Sequence, residues 1–241
     1  MPIIVEPGIE IGPGITLGAG FTTSVTLIYD LDAANYSAVP TNGSVTAGEG
    51  TTGQRTLTVA NAGASISWQA DNGGLFRKSS SLGTDVIFGG PNWVTGQSYS
   101  VFMAYRRIAT SDGRLLNTQS EASKDWLMGL YNGHPDTFYP NFAVNLPSSG
   151  ADLAWHFGWA TFNTTTSLGQ LYTATSAQPT GTAFTGTNGG GGGFNQLRMF
   201  SRAAGSEVQT ADIGFVKAYS GIFTLADVQG LYAQYKSRFG Y

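Results

Sequence analysis

The chain contains no cysteine among its 241 residues. Disulfide bonds and cysteine-based zinc or iron–sulfur sites are therefore excluded, but the absence of cysteine leaves the compartment undecided. A single β domain can account for this length. Such a domain buries roughly 70–75% of the surface that its unfolded chain exposes, so it can fold without covalent cross-links.

Charged residues are scarce too. They make up 11% of the chain, against roughly 25% in an ordinary soluble domain, and the formal net charge is −3. Lysine and arginine form no run longer than the pairs Arg77-Lys78 and Arg106-Arg107. A nucleic-acid groove needs a denser basic stripe, so we expect no nucleic-acid partner.

Long apolar stretches are also missing. No run of about 18 apolar residues occurs, which predicts no membrane-spanning helix. Residues 1–6 lack the basic and apolar segments of a signal peptide, which favours synthesis in a host cytoplasm. Low charge with abundant Gly, Ser and Thr is typical of a coat or appendage protein that is assembled inside a cell. An ordinary cytosolic β domain is the alternative.

The residue patterns of common hydrolases are not found. A glycosidase needs two carboxylates roughly 5–5.5 Å or 6.5–9.5 Å apart, yet glutamate is rare and forms no Glu-x-Asp-x-Glu strand. Asp30 and Asp32 share one face at a strand end, where turn formation accounts for them. No Gly-x-Ser-x-Gly motif supplies a serine nucleophile. We therefore predict that the protein is not an enzyme.

Metal-binding patterns are weak. His134 and His156 are the only histidines, and neither has a second histidine at zinc-ligand spacing. Asp112, Asp136 and Asn141 carry the oxygen ligands that calcium takes, but no dense Asp/Asn loop joins them. The sequence predicts no metal and no cofactor, with calcium at these three residues as the weaker alternative.

Two glycine-rich segments resemble phosphate-binding motifs by letter only. Gly48-x-Gly50-x-x-Gly53 is followed by a strand pattern, whereas a dinucleotide site needs a helix there. We predict a loop at these glycines. The run Gly189–Gly193 has no Lys-Ser/Thr after it, so we interpret it as a connection.

Short alternating segments account for most of the chain. Val25, Leu27, Tyr29 and Leu31 alternate with polar residues, as in a half-buried strand. Further strand-like segments, bounded by Gly, Pro, Asn or Asp, are 55–59, 64–68, 85–88, 98–106, 115–117, 126–131, 138–144, 154–162, 170–174, 194–200 and 212–219. About a dozen strands without a long helix between them predict one all-β sandwich over residues 22–241.

The five tryptophans are candidates for stacking on sugar rings. They are Trp68, Trp93, Trp126, Trp155 and Trp159. Trp155, Phe157 and Trp159 alternate along one strand and so share one face, which favours burial over exposure.

One helix is predicted near the C-terminus. Thr224 and Asp227 form a pattern that resembles a capping box. Lys236 and Arg238 lie in the last turn, and Gly240 can end the helix. Its apolar face consists of Leu225, Val228, Leu231, Tyr232, Tyr235 and Phe239. We expect this face to pack on the sandwich.

A glycine-rich arm precedes the sandwich over residues 1–21. Its six-residue pattern at 8–13 is repeated at 14–19, but about three such repeats are needed to bury a core. We predict that the arm is an anchor that gains order on a partner chain. The residues that would contact the partner are Ile9, Ile11, Ile15 and Leu17. A frayed terminus is the alternative.

Both ends of the predicted sandwich resemble a known family. Residues 27–35, with Ser37 and Pro40, are similar to the opening strand and turn of the concanavalin-A-like, laminin-G-like jelly rolls found in many bacteriophage structural proteins. Residues 212–219 resemble the penultimate strand of that family. Its closing helix is similar to residues 223–229 and 236–240. In the middle, residues 171–174 lack the Asn-Gly of the family's usual hairpin.

The resemblance implies a concanavalin-A-like jelly-roll sandwich with one C-terminal helix and an extended N-terminal arm. It implies a virion structural protein, such as a capsid-decoration or fibre component of a tailed phage, which binds other virion proteins and forms homo-oligomers. The alternative function is a carbohydrate-binding lectin module that adheres to a host surface. In that case the partner is a glycan.

Overall fold

The structure is a computed structural model. It describes residues 24–38, 44–50, 53–60, 66–81, 86–89, 98–118, 126–131, 133–140, 144–145, 152–179, 183–187, 197–201 and 207–241. The predicted arm, with Ile9, Ile11, Ile15 and Leu17, and the run Gly189–Gly193 lie outside these ranges.

The described residues form sixteen β-strands in two antiparallel sheets. The strands of the first sheet are β1 (Thr26–Asp32), β4 (Ile66–Gln69), β5 (Leu75–Lys78), β7 (Tyr99–Arg107), β12 (Trp155–Asn163), β13 (Leu168–Ala174), β14 (Phe184–Thr187) and β16 (Ala211–Ser220). Those of the second sheet are β2 (Ser44–Gly50), β3 (Gly53–Ala60), β6 (Val86–Gly89), β8 (Gly113–Thr118), β9 (Trp126–Tyr131), β10 (His134–Pro140), β11 (Val144–Asn145) and β15 (Leu197–Met199).

Non-neighbouring parts of the sequence meet in both sheets. The first sheet has the order β14-β13-β12-β7-β16-β5-β4, and β1 pairs with β16 beyond the part that pairs with β5. The second sheet has the order β11-β10-β9-β8-β15-β6-β3-β2. One α-helix, α1 (Leu225–Tyr235), continues into a 3-10 turn at Lys236–Phe239. Within the described ranges, two further 3-10 turns lie at Ala33–Asn35 and Asp71–Gly73. The predicted all-β sandwich with one C-terminal helix is confirmed.

The main core fills the space between the sheets. Alternate residues of β7 and β16, among them Val101, Met103 and Val216, face Met128 and Phe138 of the second sheet. Each of these side chains is almost completely buried. Because successive strand residues point to opposite faces, the residues between them point out of the sandwich.

A second core covers the outer face of the first sheet. Phe157 and Trp159 pack there against Val228 and Tyr232 of α1. The predicted burial of the Trp155–Trp159 face is confirmed, since Trp155 is 6% exposed and the other two residues are fully buried. Trp68 is partly buried and donates to Ala33 O at 2.9 Å. Trp93 and the side chain of Trp126 are not among the described parts.

The helix begins as its sequence predicts, but its predicted last turn, with Lys236 and Arg238, is a 3-10 turn that ends at Gly240. Thr224 accepts a hydrogen bond from Asp227 N at 3.2 Å, and the Asp227 carboxylate accepts from Thr224 N at 2.7 Å. Gly240 has φ of +84°, the left-handed conformation that glycine adopts at low cost. No helix of the described residues is long and apolar enough to cross a membrane.

Three interpretations of the sequence need correction. Gly48 and Gly50 belong to β2, which pairs with β3, so they form one arm of a hairpin and not a loop. Residues 138–144 are not one strand, because β10 ends at Pro140 and Val144 of β11 pairs back with Phe138. Strands β2, β5 and β14 were not predicted at all.

Candidate functional site

Strand register aligns four polar or aromatic side chains across the outer face of the first sheet. Trp155 of β12 is paired with Arg106 of β7, and Arg106 is paired with Asp212 of β16. Asp212 is also paired with Arg77 of β5. Directly opposed residues of antiparallel strands project to the same face. The four side chains therefore form one continuous row.

Asp212 is the buried centre of this row. Its side chain is completely buried, and it accepts hydrogen bonds from Arg77 Nε at 2.7 Å and Nη2 at 3.0 Å. Arg106 donates to it from Nη2 at 2.6 Å and from Nε at 3.2 Å. A buried carboxylate is stable only when it is paired and hydrogen-bonded, and two guanidinium groups meet that need here.

The two arginines are held in place but remain open to solvent. Their side chains are 28% exposed for Arg77 and 33% for Arg106. The hydrogen bond to Asp212 raises the pKa of Arg77 despite partial burial. The guanidinium carbon of Arg106 lies 5.2 Å from the centroid of the Trp155 ring, a cation–π contact that fixes the second arginine.

An open groove of about 410 Å³ follows this row at one end of the sandwich. We name it the arginine groove. Its described lining residues are Arg77, Ser79, Arg106, Arg107, Ile108, Leu153 and Asp212. Ile108 is 40% exposed and Leu153 is 54% exposed, so the groove combines guanidinium groups with accessible aliphatic side chains. Its volume lies within the range of roughly 300–1,000 Å³ that is usual for ligand sites.

An ion network lies behind the groove; four of its side chains are buried between the two sheets, and that of Asp152 is 58% exposed. Asp136 accepts hydrogen bonds from the Tyr105 hydroxyl and from Arg107 Nη2, the latter at 2.6 Å. His156 Nδ1 lies 3.3 Å from Asp136 Oδ2, and His156 Nε2 lies 2.7 Å from Asp152 Oδ1. We name these five residues the inter-sheet network.

The network favours charged forms of its members. Burial opposes a charged imidazole, but the hydrogen bonds of His156 to Asp136 and Asp152 outweigh it and raise the pKa of His156 above 6.5. Burial also opposes ionisation of Asp136, yet the hydrogen bond from His156 and the charge of Arg107 lower the pKa of that carboxyl. Both ring nitrogens of His156 face carboxylates, so the imidazole needs both of its hydrogens.

The network also positions one wall of the groove. Asp152 accepts a hydrogen bond from Ala154 N at 2.9 Å in addition to its contact with His156. This turn carries Leu153, whose side chain lines the groove. The hydrogen bonds of Asp152 therefore link His156 of the network to the turn that carries Leu153.

Of the three residues that the sequence offered for calcium, Asp112 and Asp136 lie within the described ranges, and both have other contacts. Asp136 is committed to Arg107, Tyr105 and His156, whereas Asp112 is exposed and its carboxylate lies 3.4 Å from Gly133 N. Asn141 is outside the described ranges. Across the described residues no group of three or more His, Asp or Glu side chains is arranged to hold a metal ion.

Asp30 and Asp32 form ion pairs as well as a turn. Asp32 accepts from Ala34 N at 2.9 Å at the start of the 3-10 turn, as predicted, and from Arg238 Nη1 at 2.6 Å. Asp30 accepts from Lys217 Nζ at 2.5 Å. Neither carboxylate lines the arginine groove.

Sequence reasoning missed the residues that line the groove. The pairs Arg77-Lys78 and Arg106-Arg107 were weighed only as a nucleic-acid surface. The available signal was that a strand-like segment ends at residue 106 and another begins at Asp212. Arg106 and Asp212 are brought together by the register between two strands, and the residue pattern of one sequence does not determine that register.

No protein-family model matches the chain, and no curated protein matches it. Solved structures do show its fold. The chain is similar to domain 4 of AbnA, a GH43 extracellular arabinanase from Geobacillus stearothermophilus solved in complex with arabinotriose. That likeness has a TM-score of 0.60 at 14% identity and covers 86% of this chain and 98% of that domain.

Receptor-binding domains of botulinum neurotoxins are similar as well. The serotype D binding domain matches with a TM-score of 0.57 at 14% identity, over 88% of this chain and 53% of that chain. The DC binding domain in complex with rat synaptotagmin II matches with a TM-score of 0.54 at 12% identity, over 87% and 52%. The chain thus spans about half of these toxin chains. It has the fold of a jelly-roll β-sandwich, with two antiparallel sheets and one C-terminal helix.

Proposed function

We propose that this chain is a non-catalytic carbohydrate-binding domain and that the arginine groove is its binding site. The groove itself carries the proposal. It presents hydrogen-bond donors on Arg77 and Arg106 beside the exposed aliphatic side chains of Ile108 and Leu153. Sugars offer hydroxyl oxygens to such donors and C–H faces to such apolar surfaces.

The fold comparison supports this function. The arabinanase domain was solved with an oligosaccharide, and nearly its whole length corresponds to this chain. The toxin chain of the C/D mosaic serotype is a receptor-binding domain, and this chain corresponds to about half of it. Because one fold can host many functions, the proposed function of this chain depends on the groove residues and not on the fold alone.

Affinity gel electrophoresis tests the proposed function. The native protein is run through gels that contain arabinan, dextran, polygalacturonate or dextran sulfate. We expect at least one of these polysaccharides to retard it in proportion to concentration. Migration unchanged by all four would contradict the proposal.

A variant pair tests whether the groove is the site. Ile108→Ala combined with Leu153→Ala removes exposed aliphatic surface from the groove and should weaken binding about fivefold or more. Phe184→Ala is the matched control, since Phe184 is 39% exposed but lies on β14 at the far edge of the first sheet. Equal affinities of the two variants would place binding elsewhere.

A second candidate function is a virion structural protein of a tailed phage. The resemblance of residues 27–35, 212–219, 223–229 and 236–240 to phage jelly rolls supports it, together with the repeated arm at residues 1–21. In this role Ile9, Ile11, Ile15 and Leu17 would dock on a capsid or appendage protein, and copies would form a homo-oligomer. Both functions can coexist in one decorating domain.

Assembly experiments separate the second candidate from the first. Deletion of residues 1–21 should remove the protein from purified particles while polysaccharide retardation persists. Electron microscopy of the particles locates the protein. Full incorporation of the truncated chain would contradict the anchoring role.

A further inference from the structure

We infer that the arginine groove is selective for acidic saccharides, which bear a carboxylate on the sugar ring. This inference rests on the proposed carbohydrate-binding function and names its ligand class. It depends on the charges at the groove and on the way the sheet holds them.

Positive charge exceeds negative charge among the described residues that line the groove. The described groove lining contains three arginines and one carboxylate, that of Asp212. Asp136 and Asp152, which lie next to the groove, contact Arg107 and His156. The excess of arginine over carboxylate is local to the groove lining, because the formal net charge of the whole chain is −3.

The accessible part of this charge belongs to Arg77 and Arg106. Asp212 lies beneath them with no exposed side-chain surface, while each arginine keeps roughly a third of its side chain in solvent. A ligand that enters the groove therefore meets the guanidinium groups, and the carboxylate that balances them is already engaged from below.

Both guanidinium groups are held in place before a ligand arrives. Arg77 and Arg106 each make two hydrogen bonds to Asp212, and the Trp155 ring supports the second arginine. Asp212 takes the Nε–Nη2 edge of each guanidinium, so a ligand carboxylate can use the remaining N–H groups, those of Nη1 among them, and fixed donors lose little entropy on binding. Hydrogen bonds between ionised partners are also stronger than those to a neutral hydroxyl.

The apolar wall makes the site suited to an acidic sugar and not to a bare anion. Ile108 and Leu153 border the same groove as the two arginines. A sugar acid can place its carboxylate on the guanidinium groups while its ring contacts these side chains. A free inorganic anion gains nothing from that wall.

Matched ligands test the selectivity directly. Affinity electrophoresis compares polygalacturonate with its fully methyl-esterified form, which has the same backbone but no charge. We expect the charged polymer to bind at least about tenfold more tightly. Dextran sulfate against dextran forms the second arm and shows whether sulfate can replace carboxylate.

Single arginine variants test the residues. Arg77→Gln and Arg106→Gln each leave one arginine to pair with Asp212, and each should weaken polygalacturonate binding about tenfold or more. Lys236→Gln is the matched control because it removes an exposed cation outside the groove lining. Its affinity for polygalacturonate should stay within twofold of the native value.

An exposed position keeps the test valid if the arginine variants unfold. Leu153 is 54% exposed, so charge can be added there without burying it. Leu153→Asp should weaken polygalacturonate binding at least about tenfold relative to Leu153→Asn.

The outcomes distinguish this inference from the proposed function. Equal binding of the charged and esterified polymers overturns the selectivity while the carbohydrate function stands. Stronger binding of dextran sulfate than of polygalacturonate overturns the assignment to carboxylates. If Arg77→Gln, Arg106→Gln and Leu153→Asp all keep the preference for polygalacturonate, the arginine groove is not the binding site. If the native protein binds no polysaccharide, the proposed carbohydrate-binding function itself is wrong.

Discussion

At the scale of single residues, Asp212 shows how one buried carboxylate organises a surface. It receives four hydrogen bonds from two arginines on neighbouring strands, yet it contributes no surface of its own. The consequences of losing a partner are unequal on the two sides. Without Asp212 the partly exposed arginines can be solvated, whereas without the arginines the buried Asp212 carboxylate cannot. This asymmetry is measurable.

Removal of both arginines should cost more stability than removal of the carboxylate. Arg77→Gln combined with Arg106→Gln leaves a buried charge without its partners, which costs about 3–5 kcal/mol of unfolding free energy. Asp212→Asn leaves two partly exposed cations and should cost about 1–2 kcal/mol. Urea unfolding at neutral pH measures both values. The reverse order would refute the asymmetry.

Because of the inter-sheet network, we expect the stability of the folded protein to decline both at high pH and at low pH. The pKa of His156 is raised by its two carboxylates, so its contribution is complete below about pH 6.5 and is lost as pH rises through the raised value. The pKa values of Asp136 and Asp152 are lowered from 3.8, so their contributions hold above about pH 4 and are lost as pH falls through the lowered values.

Substitution of His156 should therefore flatten the alkaline side of the profile. In His156→Gln, the decline of the melting temperature above about pH 6.5 should be smaller than in the native protein. His134→Gln is the matched control, since His134 starts β10 and does not belong to the network. Thermal unfolding between pH 4 and 9 gives the comparison. A native slope in His156→Gln would exclude this histidine as the source.

At the scale of elements, two side chains join the closing helix to the start of the described chain. Asp227 caps α1 and also accepts from Ser24 N and Ser24 Oγ, each at 2.7 Å. It is 3% exposed, so its hydrogen bonds are sheltered from water. Arg238 makes a second link, from the end of the helix to Asp32. The first and last described elements therefore stabilise each other.

Loss of Asp227 should cost more than loss of the other capping residue. Thr224→Ala removes one cap and should lower the unfolding free energy by about 1 kcal/mol. Asp227→Ala also breaks the link to Ser24, and we expect about 2–3 kcal/mol. Gln234→Ala, at an exposed helix position, should change it by less than about 0.5 kcal/mol. Denaturant unfolding of the three variants checks the ranking.

The elements that were predictable from sequence have strong local patterns. Alternation predicted β1, aromatic and β-branched segments bounded by turn residues predicted β12 and β16, and the capping pair with its apolar face predicted α1. Strand β2 contains two glycines, and β14 contains mostly small polar residues, so neither shows an alternating apolar pattern. The groove was not predictable, because Arg77, Arg106 and Asp212 meet only through register between strands distant in sequence.

At the scale of the whole molecule, the described sandwich has two different ends. Strand β16 begins at Ala211, next to the arginine groove, and ends at Ser220, which pairs with Thr26 near the start of β1. Ten residues of strand span about 30 Å. Ser24, bound to Asp227, therefore lies at the end remote from the groove.

A bulky fusion at the N-terminus should leave ligand binding intact. A fluorescent protein placed ahead of Met1 joins the sandwich through the end that carries Ser24. We expect its retardation by polygalacturonate to remain within twofold of the native affinity, with a linker-only extension as the control. A loss of more than tenfold would mean that the leading residues reach the groove.

The attachment of Ser24 at the far pole has a consequence for copies arrayed on a common support. Copies tethered through the residues that precede Ser24 would all turn their grooves away from the support. A long polymer lying across such an array could bind several grooves at the same time. Overall avidity can then exceed the single-site affinity by about 10²–10⁴ when the spacing of the grooves permits it. Weak recognition by one groove would then suffice for durable adhesion.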